Sequence, residues 1–453
     1  MKLPSPIPKR TVMVDLCRAS LRLLLLLAAA SVPAQEALQN LQAGNAAAQA
    51  RAQDMTALSK QDYTYKNGDF RVLATPTMSL QYNDNINLAG GTNNVKDDVI
   101  INPSVGLRVS YPFSEKNLLY LDFNFGYEAY VKNSALSTFD VNSTSGTGLS
   151  FDLGIKDVNI NFHDWVQYVQ GSGQGNAAAN TADGAVANTA SYGTFQNTVG
   201  LLGTWDLNQF NLSLGYDHQN VLATSTQFNQ INHSSEMVTA RAGFQFLPQL
   251  SAGLEASASL TSYQETKLND NGVYTVGPYV EFHPGRYLTI SARAGYSTEQ
   301  FQNTSTALTT TGSNFTTASQ NSWYANLNIT HEPADFLSYT FSVGREVQLG
   351  IQSDLLEDWY VRPTVTWKVM NGLDITTAFF FEHGTQGVGS DGSLAGGVND
   401  TFDWYGGSLG IHHPLTSWLD LSLNYQLTFR TSNTPNDEYT QNLVGLQLTY
   451  HPK

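Results

Sequence analysis

The sequence predicts an all-β fold, a transmembrane antiparallel up-and-down β-barrel of about 18 strands with short turns at one end and long loops at the other. Three observations carry this. From Phe70 to Tyr450 strand-length runs alternate apolar and polar residues, the links between runs are alternately long and short, and aromatic residues gather near run ends. The clearest run is Val99–Tyr111. There Val99, Ile101, Pro103, Val105, Leu107, Val109 and Tyr111 share one phase, and Asn102, Ser104, Gly106, Arg108 and Ser110 share the other. Successive strand side chains point to opposite faces, so the run has one apolar and one wet side. A sheet of many such strands suits closure in a membrane, apolar face to lipid and polar face to a lumen.

The chain opens with a secretory pattern. Lys2, Lys9, Arg10, Arg18 and Arg22 precede the apolar run Leu23–Ala30, and Val32-Pro33-Ala34 offers small residues for cleavage before Gln35. Residues 1–34 are read as a signal peptide, with Met13 an alternative start. Residues 35–69, rich in Ala, Gln and Asn, are read as a flexible periplasmic leader, and residues 70–453 as the barrel. Beyond the signal no apolar run reaches the roughly 20 residues a spanning helix needs.

The strands follow as hairpins. Phe70–Tyr82 pairs with Val99–Tyr111, Leu118–Tyr130 with Asp140–Leu153, and Val158–Val169 with Tyr192–Trp205. Phe210–Tyr216 pairs with Met237–Phe246, Leu250–Tyr263 with Val273–Phe282, and Tyr287–Tyr296 with Ser322–Ile329. The last three are Leu337–Arg345 with Trp359–Val369, Leu373–Glu382 with Phe402–His412, and Trp418–Phe429 with Tyr439–Tyr450. Between hairpins the turns are tight, as at Asp206–Gln209 and Met370–Gly372; within them the links are long, as at Gly171–Ser191, Ser297–Gln320 and His383–Thr401. Short periplasmic turns, long outside loops and an even strand count place both termini in the periplasm. Tyr82, Tyr111, Tyr130, Trp205, Phe210, Tyr216, Phe246, Tyr296, Trp418 and Tyr450 near strand ends suit the two membrane interfaces.

The last strand ends with Val444, Leu446, Leu448 and Tyr450 in one phase, the kind of C-terminal signal that barrel-assembly machinery reads, here extended by His451-Pro452-Lys453. Near the start, Met78-Ser79-Leu80-Gln81-Tyr82-Asn83-Asp84-Asn85-Ile86, then Lys96-Asp97-Asp98-Val99-Ile100 and Asn102-Pro103-Ser104-Val105-Gly106-Leu107, resemble the opening of the β-barrel porin 2 family. Asn83 stands at a position that is acidic in that family. The resemblance implies an outer-membrane barrel; some similar barrels accompany polysaccharide export.

Composition narrows the partners. The chain of 453 residues carries net charge -15, and loss of residues 1–34, with five basic side chains and one acid, would leave -19. Nucleic acid is excluded on that charge. Cys17 is the sole cysteine and precedes the signal's apolar core, so disulfides, thiolate metal sites and a cysteine nucleophile are not expected downstream. His412 and His413 are adjacent and would point oppositely from one strand, and Asp84, Asp97 and Asp98 lack calcium-loop spacing. No nucleophile–base motif or phosphate loop occurs, so the chain reads as a non-enzyme without cofactor or metal.

The polar phase names the lumen candidates: Arg71, Arg108, Asp122, Glu128, His163, Arg241, Glu255, Glu281, Arg293, Arg362, Lys368, Asp374 and Glu382. Charges of both signs around a wide wall can select small polar solutes. Tyr120, Trp165, Tyr360, Phe380 and Tyr405 are read in the same phase, as rings that could stack on sugar faces. The function that follows is a porin-like channel of the bacterial outer membrane. A second reading is the outer conduit of an exopolysaccharide or capsule secretion system with periplasmic partner proteins, and a third is a structural or adhesive barrel with a plugged lumen. Outer-membrane lipid and lipopolysaccharide are the expected surroundings, and self-association into homo-oligomers is in keeping with the class.

Overall fold

The computed structural model describes residues 63–90, 95–114, 116–142, 148–171, 192–265, 268–302, 319–349, 355–370, 372–387, 400–433 and 437–452. The expected signal peptide and most of the expected leader lie outside these residues. Twenty strands form one sheet that closes on itself: β1 Tyr65–Asn67, β2 Phe70–Asn83, β3 Asp98–Ser114, β4 Asn117–Tyr130, β5 Thr138–Asn142, β6 Leu149–Ile155, β7 Val158–Gly171, β8 Tyr192–Leu207, β9 Phe210–Ala223 and β10 His233–Leu247. They continue as β11 Leu250–Tyr263, β12 Asn271–Gly285, β13 Leu288–Phe301, β14 Gln320–Ala334, β15 Leu337–Leu349, β16 Leu355–Met370, β17 Leu373–Gly387, β18 Asp400–Thr416, β19 Leu419–Ser432 and β20 Tyr439–Tyr450.

These make eighteen staves, because β5 and β6 are two halves of one and the three-residue β1 pairs only with β2. Both halves pair with β4 and with β7, but the eight positions from Leu121 to Glu128 face the twelve from Thr138 to Leu149. The register on β4 therefore slips by four residues between the two halves. The expected single strand Asp140–Leu153 is corrected accordingly, and the polar stretch Ser143–Gly148 was the visible sign. Most of the remaining staves run past their expected ends, since ladder hydrogen bonding continues beyond the apolar alternation, while β11 and β20 match their expected spans.

Each neighbouring pair is antiparallel, and β2 meets β20 from Thr77↔Thr449 to Asn83↔Leu443. Followed round the staves, the register gives a shear of about 22 residues, hence a strand tilt near 40° and a backbone diameter on the order of 35 Å. Eight hairpins between staves turn on two residues, as at Ile155↔Val158 and Leu207↔Phe210. Lys156 (φ 54°) and Asn208 (φ 66°) supply the left-handed backbone that such turns require. At the turn end β1 pairs with β2 at Tyr65↔Val72, and the Ala74 amide donates to Thr64 Oγ1 at 2.8 Å. The end of the expected leader is thus a hairpin along the part of β2 that β20 does not reach.

Outward positions are apolar and exposed, among them Leu80, Phe125, Phe162, Leu201, Leu214, Leu254, Val280, Leu446 and Leu448. Tyr82, Tyr127, Phe139, Tyr296, Trp323, Trp359, Phe381 and Tyr405 ring this band toward the loop end; Tyr111, Phe113, Trp205, Phe244, Trp367, Trp418 and Tyr450 ring it toward the turn end. Two aromatic girdles around an apolar band are what two lipid interfaces select. Tyr130 departs from its expected interface role: it faces inward and is buried with Ile86, Ile100 and Leu136.

Candidate functional site: the inner wall of the barrel

Side-chain alternation and register put all thirteen lumen candidates on the inner face, but they do not converge on one point. Arg71 lies near the turn end of β2. Arg108 faces Asp122 directly across β3–β4, Arg241 faces Glu255 across β10–β11, and Lys368 faces Asp374 across β16–β17. Carboxylates outnumber cationic side chains on the described inner face by more than two to one.

A repeated unit organises the arginines. Arg108 donates to Asp122 Oδ2 from Nη2 at 3.1 Å and lies 5.9 Å from the Tyr120 ring centroid. Arg241 pairs with Glu281 and sits 3.6 Å over Tyr279. Arg362 grips Glu382 Oε1 through Nε (2.8 Å) and Nη2 (2.5 Å) beneath Tyr360, whose hydroxyl meets the Asn326 amide. Arg430 pairs with Asp400 at 2.8 Å and lies 4.5 Å over Phe402. Each guanidinium is thereby neutralised by one carboxylate and covered by one ring, which fixes its fork in place. Glu346, Asp358 and Glu382 share the surroundings of Arg362, with Glu346 directly opposite Asp358. Sequence reasoning missed Asp358, Glu346, Asp400, Arg430 and Asp217, because their importance comes from partners on other staves.

His163 lies in a second network. Its Nε2 meets Asp217 Oδ1 at 2.8 Å, its Nδ1 meets Asn161 Oδ1 at 2.9 Å, and its ring stacks on Trp165 at 4.1 Å. Gly200 sits between His163 and Asp217 in register, where an added Cβ would lie 2.5 Å from His163 Nε2. Both ring nitrogens are engaged by carboxylate and amide groups and neither by a hydroxyl, so this is no nucleophile–base pair.

Four of the five proposed stacking rings face inward: Tyr120, Trp165, Tyr360 and Phe380, all buried. Tyr405 is a correction. It is on the outer face, 37% exposed and stacked on Phe429 at 5.4 Å, and the inward ring is its neighbour Trp404. The phase of Leu409 and Ile411, two and three turns of the pleat further on, was the signal that would have assigned it. The inward rings also have their faces occupied. Trp165 stacks on His163, and Phe380 stacks on Trp404 at 4.2 Å.

On the β3, β4, β6 and β7 side the inner face is buried as far as the turn end, at Ser110, Leu118, Tyr120, Asp152 and Asn161, while around the other staves exposure divides it in two. At the loop end Met237, Thr239, Glu255, Ser297, Asp358, Glu382, Trp404 and Arg430 are buried. Toward the turn end Thr204, Ser251, Thr366, Thr376, Ser422 and Asn424 are half-buried or exposed. Around those other staves the lumen is therefore an open, hydroxyl-rich vestibule at the turn end and more filled toward the loops. At the loop end the β2–β3 loop contributes Leu88 to a buried apolar cluster with Leu356, Phe380, Phe402, Trp404 and Tyr439.

The acids flanking that loop are consumed in structure. Asp84 accepts from Asn442 N (2.6 Å) and Nδ2 (2.7 Å), and Asp98 accepts from the amides of Val99, Lys132 and Asn133. Outside the wall, a hydrogen bond from Lys132 Nζ holds the Asp97 carboxyl below the usual carboxylate range. A depressed value means the contact is present at neutral pH and is lost only as the pH falls through the folded-state value. Among the described residues no group of three His, Cys, Asp or Glu side chains is arranged to hold a metal ion.

No protein-family model and no curated protein matches the chain, so the β-barrel porin 2 resemblance stays with the residues that carry it. Solved barrels are similar at low identity. Pseudomonas aeruginosa OccK2 (OpdF), crystallised in complex with glucuronate, is 10% identical over 84% of this chain and 98% of its own, with a TM-score of 0.46. OccK5 (OpdH) of the same species is 12% identical over 85% and 99%, with a TM-score of 0.45. A BenF-like porin from Pseudomonas fluorescens Pf-5 is 10% identical over 84% and 99%, with a TM-score of 0.45. At this distance the solutes of those proteins are theirs alone.

Proposed function

We propose that this chain is a bacterial outer-membrane channel for small polar solutes, with both termini in the periplasm. The observation that carries the reading is a closed eighteen-stave wall, girdled and apolar outside, polar and charged inside. Such a wall is stable only with lipid on one side and water on the other. Solutes would cross by diffusion through the vestibule and then past the more filled loop-end half. Opposed charges that stay exposed on the inner wall, as at Arg108 and Asp122, order water and favour solutes that can exchange hydrogen bonds with the wall. The polysaccharide-conduit and adhesive readings have no described residue that favours them over this one.

Purified protein that shifts on gels when heated is expected to give stepwise conductance in planar bilayers. Absence of any conductance would sink the channel reading. A cheaper arm concerns the rings: Trp165→Ala is expected to leave block by added sugars unchanged, because His163 already covers one face of that indole. A several-fold loss of sugar block would restore Trp165 as a stacking platform.

A further inference from the structure

Glu128, near the loop end of β4, is fully buried, and neither of its carboxylate oxygens accepts a hydrogen bond. The charged group that acts on it is another carboxylate, Asp140, and the Tyr130 hydroxyl is near but outside hydrogen-bonding geometry. A carboxylate taken out of water is strongly unfavourable unless a cation or a set of donors replaces its hydration. Two neighbouring staves bring further oxygens to it. Register places Asn102 of β3 directly across from Glu128, between Ile101↔Ala129 and Ser104↔Gly126. On the other side β5 sets Asp140 opposite Gly126 and Thr138 opposite Glu128. The Asp140 side chain reaches over Gly126 to β3, where Asn102 Nδ2 donates to Asp140 Oδ2 at 3.2 Å. That bond leaves the Asn102 carbonyl oxygen beside Gly126, buried and without a donor. Glycine makes the approach possible: a Cβ at Gly126 would lie 2.1 Å from Asp140 Oδ1 and 2.9 Å from Asn102 Oδ1. The next inward residues on β3 and β4, Ile100 and Tyr130, pack with Ile86 and Leu136, so the surroundings on that side are apolar.

We infer that Glu128, Asp140 and the Asn102 carbonyl form a site for one divalent cation, calcium by its chemistry. Two carboxylates balance the charge of one such ion. Together with an amide carbonyl they are the hard oxygen donors that calcium takes, and calcium accepts the irregular geometry of three staves where magnesium demands an octahedron. The site lies where the wall is tied most lightly. β5 has five residues and meets β7 at one position, Val141↔Tyr168. A cation shared by β3, β4 and β5 fastens that short half-stave to the two staves before it.

Terbium, which takes calcium's place and is excited through nearby phenols, is the direct probe, with Tyr130 as its antenna. Full-length protein in detergent is expected to give sensitised terbium emission that added calcium displaces. Calcium is also expected to raise the midpoint of the heat-dependent gel shift by several degrees relative to EDTA. Glu128→Gln should lose most of the emission and all of the calcium-dependent shift. In EDTA that variant should be at least as stable as the wild type, because it strands no charge. Asp140→Asn is the second variant, with the same losses expected, and the wild-type titration needs neither to fold. Emission and shift retained in both variants would overturn the site by placing the cation elsewhere on the acidic chain. A wild type without emission and without a calcium-dependent shift would overturn it too, and leave a proton as what the two carboxylates hold.

Discussion

Arg362→Met is expected to destabilise the barrel by about 3–5 kcal/mol, the cost typical of stranding buried charge. The side chain is 4% exposed and its partner Glu382 is fully buried. Removing the guanidinium takes away the cation that sits among Glu382, Asp358 and Glu346. Asp358 is buried and neither of its carboxylate oxygens has a hydrogen-bond donor. The double variant Arg362→Met/Glu382→Gln should recover a large part of the loss, because an uncharged pair carries no stranded ion. The measurement is the unfolding midpoint of refolded protein in lipid or detergent, read by the heat-dependent gel shift. If the single variant unfolds like the wild type, the pair contributes little and the argument from burial fails.

Leu214→Arg is expected to cost about 2–4 kcal/mol in a bilayer, the range for a basic side chain near the midplane of a barrel's lipid face. Leu214 is 63% exposed on β9, between Leu212 and Tyr216, and points away from the lumen. The control is Asn424→Lys on β19, exposed on the inner face beside Gly410 and Gly445, where the ammonium stays in water. That variant should fold normally and change ion preference. The contrast separates a membrane wall from a water-soluble sheet, for which both changes would be mild. Equal stability of the two variants would end the membrane reading.

How much was legible in the sequence depended on the kind of fact. Stave number and inside–outside phase came through because each rests on local alternation and on link length. The span of β20, Tyr439–Tyr450, was read to the residue, since its outward run Val444, Leu446, Leu448 and Tyr450 is unbroken. Phase failed at Tyr405, where Trp404 puts a ring in each phase and Gly406-Gly407 removes the local contrast. The β5–β6 break was missed because both halves keep the same parity across an even insertion. The ion pairs were beyond reach: Arg430 meets Asp400 and His163 meets Asp217 only once the register of separate staves is known. Leu88 carried no sequence signal, because a single leucine in a polar loop resembles any other until its cradle is assembled.

The seam between β2 and β20 has a consequence for how the molecule comes to exist. Thr77 and Thr449 are 372 residues apart in sequence, and every other stave can pair with a neighbour made moments before or after it. Closure alone waits for the end of the chain. Until then the growing sheet carries two raw edges, each able to recruit a strand from another copy. Contacts of such long range also form slowly. The twelve residues of β20 thus act as the terminating step of a race between ring closure and aggregation. Truncations that spare all the other strands should produce tangled material rather than smaller barrels.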